Sequence, residues 1–166
     1  MIFWCVFYAV AMFLYIPNFP STYFPFLDAA HMVTHESGHL LFSAFGNMTF
    51  TIFMGTGFEL LVPLMLAASF AWRGHTSGTA FCLWGFFNAF IQVSTYMKDA
   101  RDKALPLIAP GVASDEIEGH DFEYIFNWLG VIKHDMQIGN FVLLLGWLGM
   151  FVVVGWLVYM SQREAE

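Results

Sequence analysis

Between Asp135 and Arg163 the chain carries no acidic or basic side chain, and other long stretches are nearly as apolar. Runs of this kind leave few options. In hydrocarbon every backbone N–H and C=O must be satisfied within the chain, so only helices and closed barrels cross a bilayer. The runs here are continuous rather than alternating, which selects helices. Apolar segments fall at about 2–17, 28–45, 49–72, 77–97 and 136–160, with a hydrophilic connection over 98–135. The expected fold is all-α: a polytopic membrane helix bundle of four to five transmembrane helices plus a short amphipathic interfacial helix, all in one domain over 1–166.

Composition agrees. Charged residues make up 11% of the chain, against about 25% in a soluble domain. Hydrophobic residues reach 58%, aromatics 19%, and mean hydropathy is +0.63. The net charge of −7 argues against nucleic acid or an anionic lipid surface as the main partner. Lys and Arg are absent before Arg73, so the first apolar segment lacks the basic flank of a signal peptide and reads as a retained helix. Cys5 and Cys82 lie in apolar segments and read as small core residues.

Punctuation supports these bounds. Pro17 and Pro20 end the first segment, Asp28 is placed to N-cap the second, and Gly46 to stop it. At about 1.5 Å per residue the second segment spans roughly 27 Å, close to the hydrocarbon thickness. Asn88, Gln92, Thr95 and Asp99 recur on one helical face, pointed away from lipid. Beyond the charged stretch from Lys98 to Glu118, the spacing of Phe122, Ile125, Phe126 and Leu129 predicts the amphipathic helix, stopped by Gly130. Asp135 is placed to cap the last span. The 98–135 connection carries most of the basic residues, which weakly places it in the cytoplasm of a bacterial inner membrane.

Against this background one polar cluster stands out: His31-Met-Val-Thr-His35-Glu36-Ser-Gly-His39. His35, Glu36 and His39 form a His-Glu-x-x-His motif. Two imidazoles four residues apart share a helix face and can reach one ion, while Glu36 is placed to hold or deprotonate a water. The alternative is a polar cluster satisfied by neighbouring helices without a metal. A zinc site needs a third protein ligand. The candidates are His31, Asp99, His120, Asp121 and Glu59, with His120 ranked first and Asp99 second. His120 follows a glycine at a helix start, where it can fold back over the bundle. Candidates that do not bind can orient a ligand ring instead. Glu59 lies within an apolar segment and is a functional candidate on that ground alone. His75 and His134 read as ordinary interfacial residues.

At these residues the chain resembles membrane-embedded zinc metallopeptidases of the site-2-protease type. The resemblance covers His35, Glu36, Gly38 and His39 in an apolar helix and a downstream aspartate near a helix end. It implies that His35 and His39 are zinc ligands, Glu36 the general base and Asp99 the aspartate ligand. That family's Leu-Asp-Gly motif is absent; Met97-Lys-Asp-Ala-Arg-Asp-Lys stands here instead. Over a longer stretch the chain is similar to small bacterial membrane proteins with His-Glu-x-Gly-His, Asp-Ala-Arg, Leu-Pro-Leu and His-Asp in that order, here 35–39, 99–101, 105–107 and 120–121. That likeness names no substrate and favours His120 as a ligand.

Three functions fit. One is a zinc metallohydrolase, most plausibly a peptidase with one Zn2+ and a peptide substrate. The second is a non-catalytic accessory subunit of a respiratory or photosynthetic membrane complex, with a structural or relic metal site. In the third, an intramembrane histidine ligates a haem or chlorophyll-type ring, which nothing in the spacing requires.

Overall fold

The computed structural model describes residues 25–105 and 119–163, together with the helical Phe3, Val6, Phe7 and Val10. Most of the apolar run at 2–17, the Leu-Pro-Leu element beyond Leu105 and the acidic residues from Asp115 to Glu118 lie outside the described residues. All regular structure among the described residues is helical. The helices are α1 (Pro25–Ser43), α2 (Met48–Trp72), α3 (Thr76–Lys98), α4 (Asp121–Trp128) and α5 (Asp135–Arg163), and a 3-10 turn over Ile132–His134 leads into α5.

The boundaries follow local chemistry. Asn47 caps α2 by accepting the Phe50 N–H at 2.9 Å. Gly46 (φ 68°), Gly74 (φ 72°) and Gly130 (φ 72°) turn the chain where α1, α2 and α4 end, in backbone that disfavours a side chain. Asp28 departs from its expected place. Helix α1 begins three residues earlier, at Pro25, and Asp28 lies in its first turn, where its carboxylate takes a 2.6 Å hydrogen bond from Gln92 of α3. A strong tertiary partner outweighs a local cap. Asp135 is the first residue of α5, and its Oδ1 accepts the Met136 N–H at 2.7 Å.

Helices α1, α2, α3 and α5 pack in that order, each mainly against the next, with α3 against α5 the most extensive contact. Ala80, Trp84 and Ile91 of α3 meet Leu143, Met150, Val153 and Leu157 of α5 in one core. A second core, around Val93, Ala100, Phe122, Ile125 and Phe126, seats α4 across one end of the bundle. The polar stripe read from the spacing of α3 is buried in part: Asn88 is fully enclosed and Asp99, just past the helix end, is buried, while Gln92 and Thr95 are partly buried.

Among the described residues two helices are long and apolar enough to cross a membrane: α2, and α5 with its 3-10 lead-in. Their outer faces expose Leu61, Leu64, Met65, Phe141, Leu148 and Phe151, the pattern of a surface that meets lipid or another apolar partner. Helices α1 and α3 are not in that class. They carry the ionisable motif, whose histidines meet α2 and the start of α4, and the polar stripe, whose Gln92 donates to Asp28 of α1.

Candidate metal centre

The His-Glu-x-x-His segment lies on α1, facing α2 and the start of α4. Nε2 of His35 and Nε2 of His39 are 3.0 Å apart. Oδ2 of Asp121 is 2.9 Å from the first and 3.0 Å from the second. These are the three metal-ligating groups that converge among the described residues.

Both rings are held from behind by α2. Nδ1 of His39 donates to the Thr51 carbonyl at 3.0 Å, and Nδ1 of His35 faces Oε2 of Glu59 at 3.1 Å. A carbonyl and a carboxylate only accept, so each Nδ1 carries a proton, and each Nε2 is turned inward, where it offers a lone pair whenever its ring is neutral. Two lone pairs and a carboxylate oxygen then crowd within 3.0 Å of one another, which requires positive charge among them. A proton on one imidazole satisfies part of the set; a divalent ion satisfies all three donors. Tetrahedral zinc, at about 2.0–2.2 Å from N and O ligands, separates its ligands by about 3.3 Å, a few tenths of an ångström wider than found here. The donor set therefore fits zinc with a small outward relaxation, and the Thr51 and Glu59 contacts are the ring-orienting kind that metal-bound histidines need.

The backbone makes room for this. A Cβ at Gly55 of α2 would collide with the His39 ring and approach His35 Nε2 to 2.8 Å. A Cβ at Gly38 would strike the Met54 carbonyl. Glycine at both positions lets α1 and α2 approach closely enough for the rings to sit between them.

Asp121 is presented by the first turn of α4. Burial pushes its carboxyl up, but the contacts with His35 and His39 outweigh this and hold it below the ordinary carboxylate range. Its own N–H donates to the Tyr96 hydroxyl at 3.2 Å. The Tyr96 ring meets His35 edge-on and lies against His120 with centroids 4.1 Å apart.

His120 and Asp99, ranked first and second for the third ligand position, stand outside the converging trio. His120 is buried and caps α4, its Nδ1 accepting the Glu123 N–H at 3.4 Å. Its Nε2 faces Oδ2 of Asp99 at 3.5 Å. The Asp99 carboxylate accepts the N–H groups of Ala104 (2.8 Å) and Leu105 (3.1 Å). Together they tie the end of α3 to the start of α4, next to Asp121. His31 also lies outside the trio, buried with Nδ1 3.9 Å from Oε1 of Glu59. The sequence reading did not single out Tyr96 or the Thr51 carbonyl. A tyrosine in an aromatic-rich helix carries no signal, and a backbone acceptor never does.

Glu36 lines a cavity of about 300 Å³ whose wall includes His35, with Asp28, His31, Glu59, Gln92 and Tyr96 around it. The polar stripe of α3 thus opens onto the metal-ligating motif. No family model, curated protein or solved structure matches the chain. The centre is read from its own geometry.

Proposed function

We propose that the protein is a membrane-embedded zinc metallohydrolase acting on peptide-like bonds, in a bundle of four to five membrane helices in a bacterial inner membrane. The observation that carries this reading is the convergence of His35, His39 and Asp121, each imidazole steered by a second partner, beside a cavity that also holds Glu36. Three protein donors and an adjoining cavity suit a catalytic zinc, which keeps a coordination position open, better than the closed four-ligand site of an accessory subunit.

Bound zinc supplies Lewis acidity, polarising a substrate carbonyl and making water a stronger acid. The chain's own residues supply the rest. Glu36 takes a proton from the attacking water as oxygen bonds to the carbonyl carbon, and returns it to the nitrogen that leaves when the C–N bond breaks. Gln92 and Thr95 line the cavity and give water a polar path into the bundle. Glu59 and the Thr51 carbonyl keep the imidazoles in their ligating tautomers.

The test is metal analysis of the purified protein with variants. The reading expects about one zinc per chain, lost in His35→Ala, His39→Ala and Asp121→Ala and kept in Glu36→Gln. Full zinc content in Asp121→Ala, or none in the parent protein, would sink it.

A further inference from the structure

We infer that the Tyr96 hydroxyl donates a hydrogen bond to the substrate's carbonyl oxygen as that oxygen gains charge, which makes Tyr96 a second catalytic side chain beside Glu36. This rests on the hydrolase reading above and adds to it a residue that the metal-binding motif does not contain.

The first ground is placement. Tyr96 lies in the last turn of α3 and lines the cavity together with His35 and Glu36. Its hydroxyl accepts the Asp121 N–H at 3.2 Å, and its ring meets the His35 ring edge-on with centroids 6.0 Å apart. The side chain therefore stands beside two of the three converging donors. The N–H that it holds and the carboxylate oxygen facing both imidazoles belong to one residue. One aspartate's length thus separates the hydroxyl from the convergence. Besides His35, the rings of His120 at 4.1 Å and Phe122 at 5.5 Å fix the phenol in place. A donor held rigid in advance needs no reorganisation when charge develops in front of it.

The second ground is the hydroxyl's own hydrogen bonding. A phenol offers one proton as well as oxygen lone pairs. The Asp121 N–H takes up a lone pair, and the proton meets no acceptor among the described residues. Other donors on the cavity wall are turned to protein acceptors. Gln92 donates to Asp28 and Thr95 to the Ile91 carbonyl. His35 faces Glu59, and His31 is engaged with Glu59 and Asn88.

Hydrolysis creates the acceptor that this proton lacks. As the water oxygen bonds to the carbonyl carbon, Glu36 takes a proton from the water and the C=O π electron pair moves onto the carbonyl oxygen. Tyr96 donates a hydrogen bond to that oxygen and keeps its proton. The pair re-forms C=O when the C–N bond breaks, and the nitrogen leaves with the proton from Glu36. The bond is stronger to the charged oxygen than to the neutral carbonyl, so it lowers the barrier rather than only binding substrate.

The test uses binding rather than turnover. Full-length protein in detergent is loaded with cobalt, and its visible spectrum is followed during titration with acetohydroxamate or with ethanethiol. The first presents a charged oxygen beside the metal; the second binds through sulfur and has no oxygen. Tyr96→Phe removes the hydroxyl and keeps the ring contacts. It should weaken acetohydroxamate about 10–100-fold, the range of a hydrogen bond to a charged group, and leave ethanethiol affinity unchanged. Unchanged acetohydroxamate affinity would overturn the inference and leave the hydrolase reading standing. Equal weakening of both ligands, or loss of cobalt from Tyr96→Phe, would assign the hydroxyl to holding Asp121 in place and would overturn it too. Failure of both ligands to bind a parent chain holding one metal would overturn the inference and the open coordination position together.

Discussion

Asp121 contributes the third donor, but its position depends on side chains that never touch the metal-ligating atoms. The Asp99 carboxylate holds the chain at Ala104 and Leu105, His120 sits between Asp99 and Tyr96, and the Tyr96 hydroxyl takes the Asp121 N–H. Removing a group that orients a ligand typically lowers metal affinity about 10–100-fold without abolishing it. Asp99→Asn and His120→Asn should therefore show weakened zinc affinity in a chelator competition, between the parent and Asp121→Ala. Gly55→Ala should act more severely, because the new methyl group occupies space held by both imidazoles. Its helical circular dichroism should match the parent while zinc is lost. At this level the sequence was half legible. The i, i+4 spacing of His35 and His39 is a local signal, and both converge. The third donor was weighed among five residues, and nothing in spacing distinguishes adjacent His120 and Asp121. That choice depends on which side of the α4 N-terminus faces α1, a property of tertiary docking.

Helix α4 is eight residues long, too short to persist alone, so its docking decides whether a metal centre exists at all. Three kinds of contact hold it: the Phe122, Ile125 and Phe126 core, the Thr49–Tyr124 hydroxyl pair at 2.8 Å, and the Phe53–Trp128 ring contact. The neighbouring loop is pinned by Arg101, whose Nε donates to the buried Asp135 carboxylate at 2.7 Å. Lys103–Glu123 is an exposed pair by comparison. Arg101→Ala leaves a buried carboxylate without its charged partner, so it should lower the melting temperature clearly more than Lys103→Ala, whose effect should stay within about 1 kcal/mol. Acid should separate metal binding from docking. Ligand imidazoles must be neutral to bind zinc, so protons compete with the metal for both rings and zinc should leave as pH falls. Asp121, held below the ordinary carboxylate range by its histidine neighbours, keeps its contribution to α4 docking at neutral pH and loses it only at more acid pH. Zinc content and Trp128 fluorescence, followed together, should therefore fall at different pH values. The amphipathic spacing disclosed α4 in the sequence; its docking partners, scattered over α2 and α3, could not be read there.

Considered whole, the bundle places α2 and α3 between α1 and α5, and α2 and α5 are the two helices among the described residues that are apolar and long enough to cross a membrane. The long uncharged runs made the helical class and most boundaries legible, because hydrocarbon admits so few backbone solutions. Crossing number was less legible, since a helix that turns polar residues toward its neighbours falls below the apolarity of a lipid-facing one. The protein should stay with membranes through an alkaline carbonate wash; release into the supernatant would refute the bundle's placement. Both ligating rings take their orientation from α2, through the Thr51 carbonyl and Glu59, and α2 is itself one of the two lipid-length helices. Tilting α2 to match a thinner or thicker bilayer would turn both imidazoles at once. On the proposed membrane placement, zinc affinity in vesicles should accordingly peak at one acyl-chain length, and a flat response across chain lengths would refute the coupling of the centre to α2.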